Sequence, residues 1–160
     1  IGMLASCTKD LDREPTNGVT TEVQYSTFSG YQSALAKVYA SFALTGNIGP
    51  ATPCSQCGDV GGIDEGTSDF LRLYWWVQEI STDEAVVVSL WNDPGIHFFH
   101  NMAWTPDNVI SKGLYYRSFY QITLANEFIR QSTDDKVAAR GITGTEAETI
   151  NRDLLEFFKS

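Results

Sequence analysis

Eight carboxylates crowd the stretch 59–93 (Asp59, Asp64, Glu65, Asp69, Glu79, Asp83, Glu84 and Asp93), with Arg72 as its one base. Glycoside hydrolysis needs two carboxyl groups about 5–10 Å apart across a cleft. Adjacent pairs such as Asp64-Glu65 and Asp83-Glu84 point apart, and helix caps and solvated loops account for most of the set. Residues 59–69 also lack the alternating oxygens around a Gly that an EF-hand calcium loop uses. Cys54-Ser55-Gln56-Cys57 together with His97 and His100 supplies four atoms suited to zinc. Yet about forty residues intervene and the His pair flanks Phe98-Phe99, unlike the spacing of zinc fingers. In an exported chain such a Cys pair is a small loop disulfide or two thiols. We therefore expect neither metal nor cofactor. Trp75, Trp76, Trp91 and Trp104 complete the set, and large aromatics serve cores more often than ligands.

The chain opens Ile1-Gly2-Met3-Leu4-Ala5-Ser6-Cys7 and continues Thr8-Lys9-Asp10-Leu11-Asp12-Arg13-Glu14-Pro15. A short apolar run ending in small residues is the tail of a secretory signal. Leu4-Ala5-Ser6-Cys7 resembles the bacterial lipobox, whose thiol is acylated and whose chain is cut just before the Cys. This predicts a residual signal at 1–6, a lipidated Cys7, and a tether over 7–19. Three Cys is an odd count. With Cys7 lipidated, Cys54 and Cys57 remain as a pair, and the count balances.

These groups must be held by regular elements. From Thr20 the pattern turns helical, with Tyr31, Leu35, Val38, Tyr39 and Phe42 on one stripe and a stop at Thr45-Gly46-Asn47. The Gly- and Pro-rich stretch 46–66 reads as a loop. Phe70, Leu73, Val77 and Ile80 sit at helical spacing, although Tyr74-Trp75-Trp76 leaves a strand open. Residues 85–90, with three consecutive valines, predict a strand ended by the turn Trp91-Asn92-Asp93-Pro94-Gly95. The stretch 114–131 is the strongest helix. It carries Tyr116, Tyr120, Leu124 and Phe128 in one row and Tyr115, Phe119, Ile122 and Ile129 on a neighbouring face, so it must pack against more than one element. A last helix begins near Thr143 or Thr145, each in capping-box position. It carries Ile150, Leu154, Phe157 and Phe158, and Phe157-Phe158 at the end reads as a helix cut off from its partner.

Taken in order, these features resemble the N-terminal part of the RagB/SusD family. They are the lipobox, the Asp-rich tether, Gly62-Ile63-Asp64-Glu65-Gly66-Thr67-Ser68-Asp69-Phe70-Leu71-Arg72-Leu73-Tyr74-Trp75, Thr82-Asp83-Glu84-Ala85 leading to Trp91, Gly113-Leu114-Tyr115-Tyr116-Arg117, and Ala125-Asn126-Glu127-Phe128-Ile129. The resemblance runs from about Cys7 to Ser160. It implies a mainly α fold of tetratricopeptide-like helix pairs with long loops and a little β, truncated C-terminally, with residues 20–160 as its start. It implies a glycan-binding surface lipoprotein held at the outer membrane by its lipid alone, acting with a TonB-dependent transporter of the SusC type, and no catalysis. Trp91 and Arg72 match positions at which the starch-binding branch touches glycan. That branch also places an Asn three residues after the Trp; here Pro94 stands there, and Asn92 lies closer in.

The candidate glycan-binding residues are thus Trp91, Arg72 and Asn92. Trp91 follows an apolar run and precedes a polar turn, so its indole is expected at an element's rim. Arg72 carries donors in a rigid fork able to span two hydroxyls, and its competing role is pairing with nearby carboxylates. The rival functions are a glycan-cleaving enzyme built on residues 59–93 and a helical scaffold that meets only protein. Composition narrows the field further. Eleven basic against twenty acidic residues among 160 give a net charge of −9, a poor match for phosphate backbones or anionic membrane surfaces. No apolar run reaches the length of a membrane span. With 42% hydrophobic and 12% aromatic residues, the chain can bury a core.

Overall fold

The computed structural model describes residues 19–46, 58–64, 66–90 and 92–159, and among these the protein is mainly helical, with seven helices and no strand. The expectations placed on residues 1–18, Cys54, Cys57 and Trp91 lie outside the described residues.

The helical run expected from Thr20 is two helices, α1 (Thr21–Gln24) and α2 (Phe28–Ala40). Thr20 caps the first by accepting from Val23 N at 3.3 Å, and Thr27 caps the second by accepting from Gly30 N at 3.2 Å. A second cap opens a second helix. The two close tightly: a Cβ on Gly30 would lie 1.7 Å from the Gln24 carbonyl oxygen. α2 ends at Ala40, short of Gly46, and the chain runs on in turns, Ala43 N donating to Ala40 O at 3.0 Å, while the Ser41 hydroxyl donates to Val38 O at 2.8 Å. Beyond it, Phe42 meets the edge of Phe70, 5.4 Å between centroids.

α3 (Phe70–Glu79) settles the helix-or-strand question around Tyr74-Trp75-Trp76. Asp69 caps it, accepting from Arg72 N at 3.0 Å. Leu73, Trp76 and Ile80 are buried at three- and four-residue intervals, the period of one helical face. α4 (Ile96–His100) follows Gly95, whose φ of 84° suits a residue without Cβ. α5 (Val109–Gln131) starts before Leu114 because Asn108 accepts from Ile110 N at 2.9 Å. α6 (Asp134–Ala139) and α7 (Thr145–Lys159) complete the order, α7 beginning at the later of the two Thr expected to open it.

α5 is about 35 Å long at 1.5 Å per residue and serves two cores. Its C-terminal half joins α2, α6 and α7 around Tyr31, Val38, Phe128, Val137 and Ile150. Its N-terminal half joins α3 and α4 around Leu73, Trp76, Ile96, Phe99 and Ile110. Gly113 allows the approach to α3, since a Cβ there would sit 3.0 Å from Leu73 Cδ1. α2 and α5 run antiparallel, as their bonds show. The Tyr31 hydroxyl donates to Gln131 O at 2.7 Å, and Gln121 Nε2 donates to Val38 O at 2.7 Å. Phe157, expected to lack a partner, packs against Phe128 and Tyr39 at 6.0 and 6.3 Å, whereas Phe158 is exposed.

The expected β content requires correction: 85–90 is not a strand. The alternation is real, with Val87 packed on the second core while Val86 and Val88 face solvent. However, no backbone partner for these residues exists among the described residues. A strand is defined by its ladder, and alternation alone cannot supply one. No described helix is long and apolar enough to cross a membrane.

Candidate functional site

The loop 58–69 that leads into α3 is pinned from beneath by a buried ion cluster. Arg117 of α5 is 1% exposed and donates through Nη1 to Asp59 Oδ1. Lys37 of α2 reaches the other oxygen, Nζ to Oδ2 at 2.7 Å. Arg117 Nη2 also lies 3.5 Å from the Ser68 hydroxyl, so one guanidinium touches both ends of the loop. Its Nε is buried with no partner among the described residues. Burial by itself would push the Asp59 carboxyl up; bonds and charge from Lys37 and Arg117 outweigh this and hold it below its ordinary value. Burial likewise opposes the Lys37 ammonium, yet Asp59 and Tyr120 leave its pKa raised. Both directions describe an ion pair at neutral pH.

This cluster was not foreseen. Caps and solvated loops account for most of the 59–93 carboxylates in the sequence, and the apolar rows of α5 draw attention to its Tyr, Phe and Leu residues, so neither points to an Asp59–Arg117 pair. In the structure Ile110, Gly113, Arg117, Gln121 and Phe128 form one buried stripe of α5. A charged residue on a buried stripe demands a distant counter-charge.

Above the clamp, Arg72 stands in the first turn of α3. Its Nη1 donates to Gly66 O at 2.6 Å and its Nε lies 3.1 Å from Asp69 Oδ2, while its guanidinium sits 5.7 Å from the Trp76 ring centroid. The pairing role weighed for Arg72 is therefore present. Trp75, 53% exposed, and Trp76, buried, diverge from adjacent positions of the helix. Both line an apolar cleft of about 220 Å³ whose opposite wall is 85–88, closed by Ile96. Asn92 is exposed where the chain leaves that wall. α3, which carries Arg72, and the segment leading to Asn92 thus flank one cleft, although neither residue lines it. Trp91 lies outside the described residues.

The remaining carboxylates of the loop serve its shape. Asp64 accepts from the Thr67 backbone N–H at 2.9 Å and from its hydroxyl at 3.1 Å, a local turn of the Asx kind. Asp69 caps α3. Among the described residues, no cluster of three or more His, Cys, Asp or Glu is arranged to hold a metal ion.

No family model matches this chain, and no solved structure matches it. Among curated proteins it is similar to Starch-binding protein SusD of Bacteroides thetaiotaomicron, 31% identical over 152 residues. That alignment covers 93% of this chain and 24% of the relative. The chain spans about a quarter of the length of the curated relative it matches. The similarity supports a SusD-like relationship.

Proposed function

We propose that this chain is the glycan-capturing part of a SusD-like cell-surface lipoprotein, which binds oligosaccharide and passes it to a TonB-dependent transporter of the SusC type in the outer membrane. The observation that carries this reading is the similarity along 93% of the chain to a protein named for starch binding. The anchor is lipid on Cys7. Sugar rings stack on Trp91, with Arg72 and Asn92 directing donors to hydroxyls; a few polar groups set orientation while apolar surface supplies affinity. Arg72 suits this role because Gly66 and Asp69 fix its fork in advance.

Catalysis is not part of the reading. A general acid at neutral pH needs a raised carboxyl pKa, and Asp59 is shifted the other way. Asp64 and Asp69 are engaged in turn and cap.

Calorimetry of the protein with a panel of neutral oligosaccharides tests the proposal. Trp91→Ala should weaken binding about tenfold or more, equivalent to about 1.4 kcal/mol, with the melting temperature nearly unchanged. Unchanged affinity, or binding lost only through unfolding, would move the site elsewhere. Reducing ends released from the same panel would favour the cleaving enzyme, and silence across the panel with retained transporter binding would favour the protein-binding scaffold.

A further inference from the structure

We propose a second saccharide platform at the N-terminal half of α5, walled by the stacked Trp104 and Phe99 and by Tyr115, and separate from Trp91, Arg72 and Asn92. It rests on the glycan reading and adds a site to it.

A left-handed turn sets the Trp104–Phe99 stack. α4 ends at His100, and Met102 then adopts φ 52°, the one positive φ of a non-glycine among the described residues. Met102 N donates to Phe99 O at 3.0 Å and Ala103 N to Phe98 O at 2.8 Å. This is the paired bonding of a Schellman ending, in which glycine ordinarily takes the left-handed place. A residue with a side chain costs about 1–2 kcal/mol there. The turn sends the chain back over α4, and Trp104 lands flat on Phe99, centroids 4.8 Å apart and planes at 6°.

Phe99 belongs to the second core, so one indole face is closed by a buried ring. Trp104 nevertheless stays 44% exposed, so part of the indole meets solvent. Trp104 and Phe99 together border a cleft of about 470 Å³ with Val77, Leu114 and Tyr115, and Ser81, Ser111 and Ser118 supply its polar rim; the volume is within the range of about 300–1,000 Å³ typical of ligand sites. Ser81 and Ser118 spend their protons on Val77 O and Leu114 O at 2.8 and 2.7 Å. Their oxygens therefore remain acceptors. Tyr115 and Ser111 continue into a neighbouring cleft that holds Asp107, Lys112 and Tyr116. Asp107 and Lys112 form no ion pair with any described residue and cancel each other's charge.

Aromatic walls, hydroxyl acceptors and a balanced pair of charges suit a neutral ring with an apolar face and a polar rim, which is a pyranoside. Phosphate or carboxylate ligands would want a surplus of cations, and none is present here. An apolar protein segment would leave Asp107 and Lys112 buried and unpaired, at a cost.

Nitrogen-15 NMR of the tryptophan indole N–H groups tests the site, with the Trp104 signal assigned through Trp104→Phe. The probes are maltoheptaose, xylohexaose and mannohexaose. In a Trp91→Ala background, at least one probe should still shift the Trp104 indole at millimolar concentration. Tyr115→Ala, at a residue 59% exposed, should weaken that shift's affinity about tenfold and leave the other indole signals in place. A probe that binds the unsubstituted protein without moving Trp104 overturns the second platform and leaves the glycan reading standing. So does a Trp104 shift that vanishes with Trp91→Ala. Absence of any shift at any tryptophan, with no heat on titration, overturns both.

Discussion

The clamp beneath the loop predicts an asymmetry between its three members. Asp59→Ala leaves the guanidinium of Arg117, 1% exposed, with no carboxylate and Nη1 unpaired. Breaking a buried pair from one side costs about 3–5 kcal/mol. Lys37→Met removes a partner whose side chain is 33% exposed, and a pair so wetted contributes at most about 1 kcal/mol. Arg117→Met falls between, because Asp59 keeps Lys37 and its side chain is 11% exposed to water. In a chain of this size about 1 kcal/mol moves the melting temperature by about 2–4 °C, so Asp59→Ala should drop it by about 10 °C and Lys37→Met by no more than a few. The pH dependence has a definite sign. The Asp59 carboxyl is held below its ordinary value in the folded state, so the unfolded chain binds the proton first. Its stabilisation is fully present above the ordinary carboxylate pKa of about 3.9 and is lost as pH falls through the lower folded value. Urea titrations followed by tryptophan fluorescence, from pH 7 down to pH 3, should show the gap between the parent chain and Asp59→Asn closing below about pH 4. Equal costs for Asp59→Ala and Lys37→Met, or a gap independent of pH, would refute a buried clamp at Asp59.

Gly30→Ala should cost about 2 kcal/mol or more, since its Cβ would fall 1.7 Å from Gln24 O and the crowding outweighs the gain of about 1 kcal/mol in helix propensity; denaturant midpoints measure it, and a neutral result would show that α1 does not close over α2. Met102→Gly should stabilise the chain by about 0.5–1 kcal/mol, the left-handed cost less the flexibility glycine adds to the unfolded state; a loss of stability would mean that the Met102 side chain contributes packing. Cys7 in membrane-extracted protein should carry acyl chains by intact mass, more than one of them, because a single chain holds only marginally; an unmodified thiol would end the lipoprotein reading.

What could be read directly from the residues is what depends on neighbours three or four positions away. The spacing of Phe70, Leu73, Val77 and Ile80, the apolar rows along 114–131 and the capping-box start of α7 near Thr143 or Thr145 are all local side-chain geometry, whereas the caps at Thr27 and Asn108, equally local, are passed over when the apolar stripe alone is followed. These patterns mark the body of α5 and the start of α7 before any tertiary contact exists, and leave α1 and α2 as one run and α3 as helix or strand. The placement of Arg72 against a nearby carboxylate was legible for the same reason, since Asp69 lies one turn away. Which face a helix buries is another matter. Tyr115, Phe119 and Ile122 are exposed, while Arg117 and Gln121 on the same helix are buried.

Burying that polar face is possible because partners arrive from distant parts of the chain: Asp59 for Arg117, and Val38 O and Ser41 for Gln121. Pattern alone ranks Tyr and Phe above Arg for a core, and only a counter-charge delivered by the folded chain reverses that order. The 85–90 segment makes the same point in the other direction. Its valines alternate as a strand should, yet a ladder needs a second backbone, and among the described residues none lies beside it. Trp104 was one ambiguous aromatic among four until the left-handed turn at Met102 laid it on Phe99. A single left-handed turn, selected by the packing around it, set that ring against the core while leaving part of it exposed.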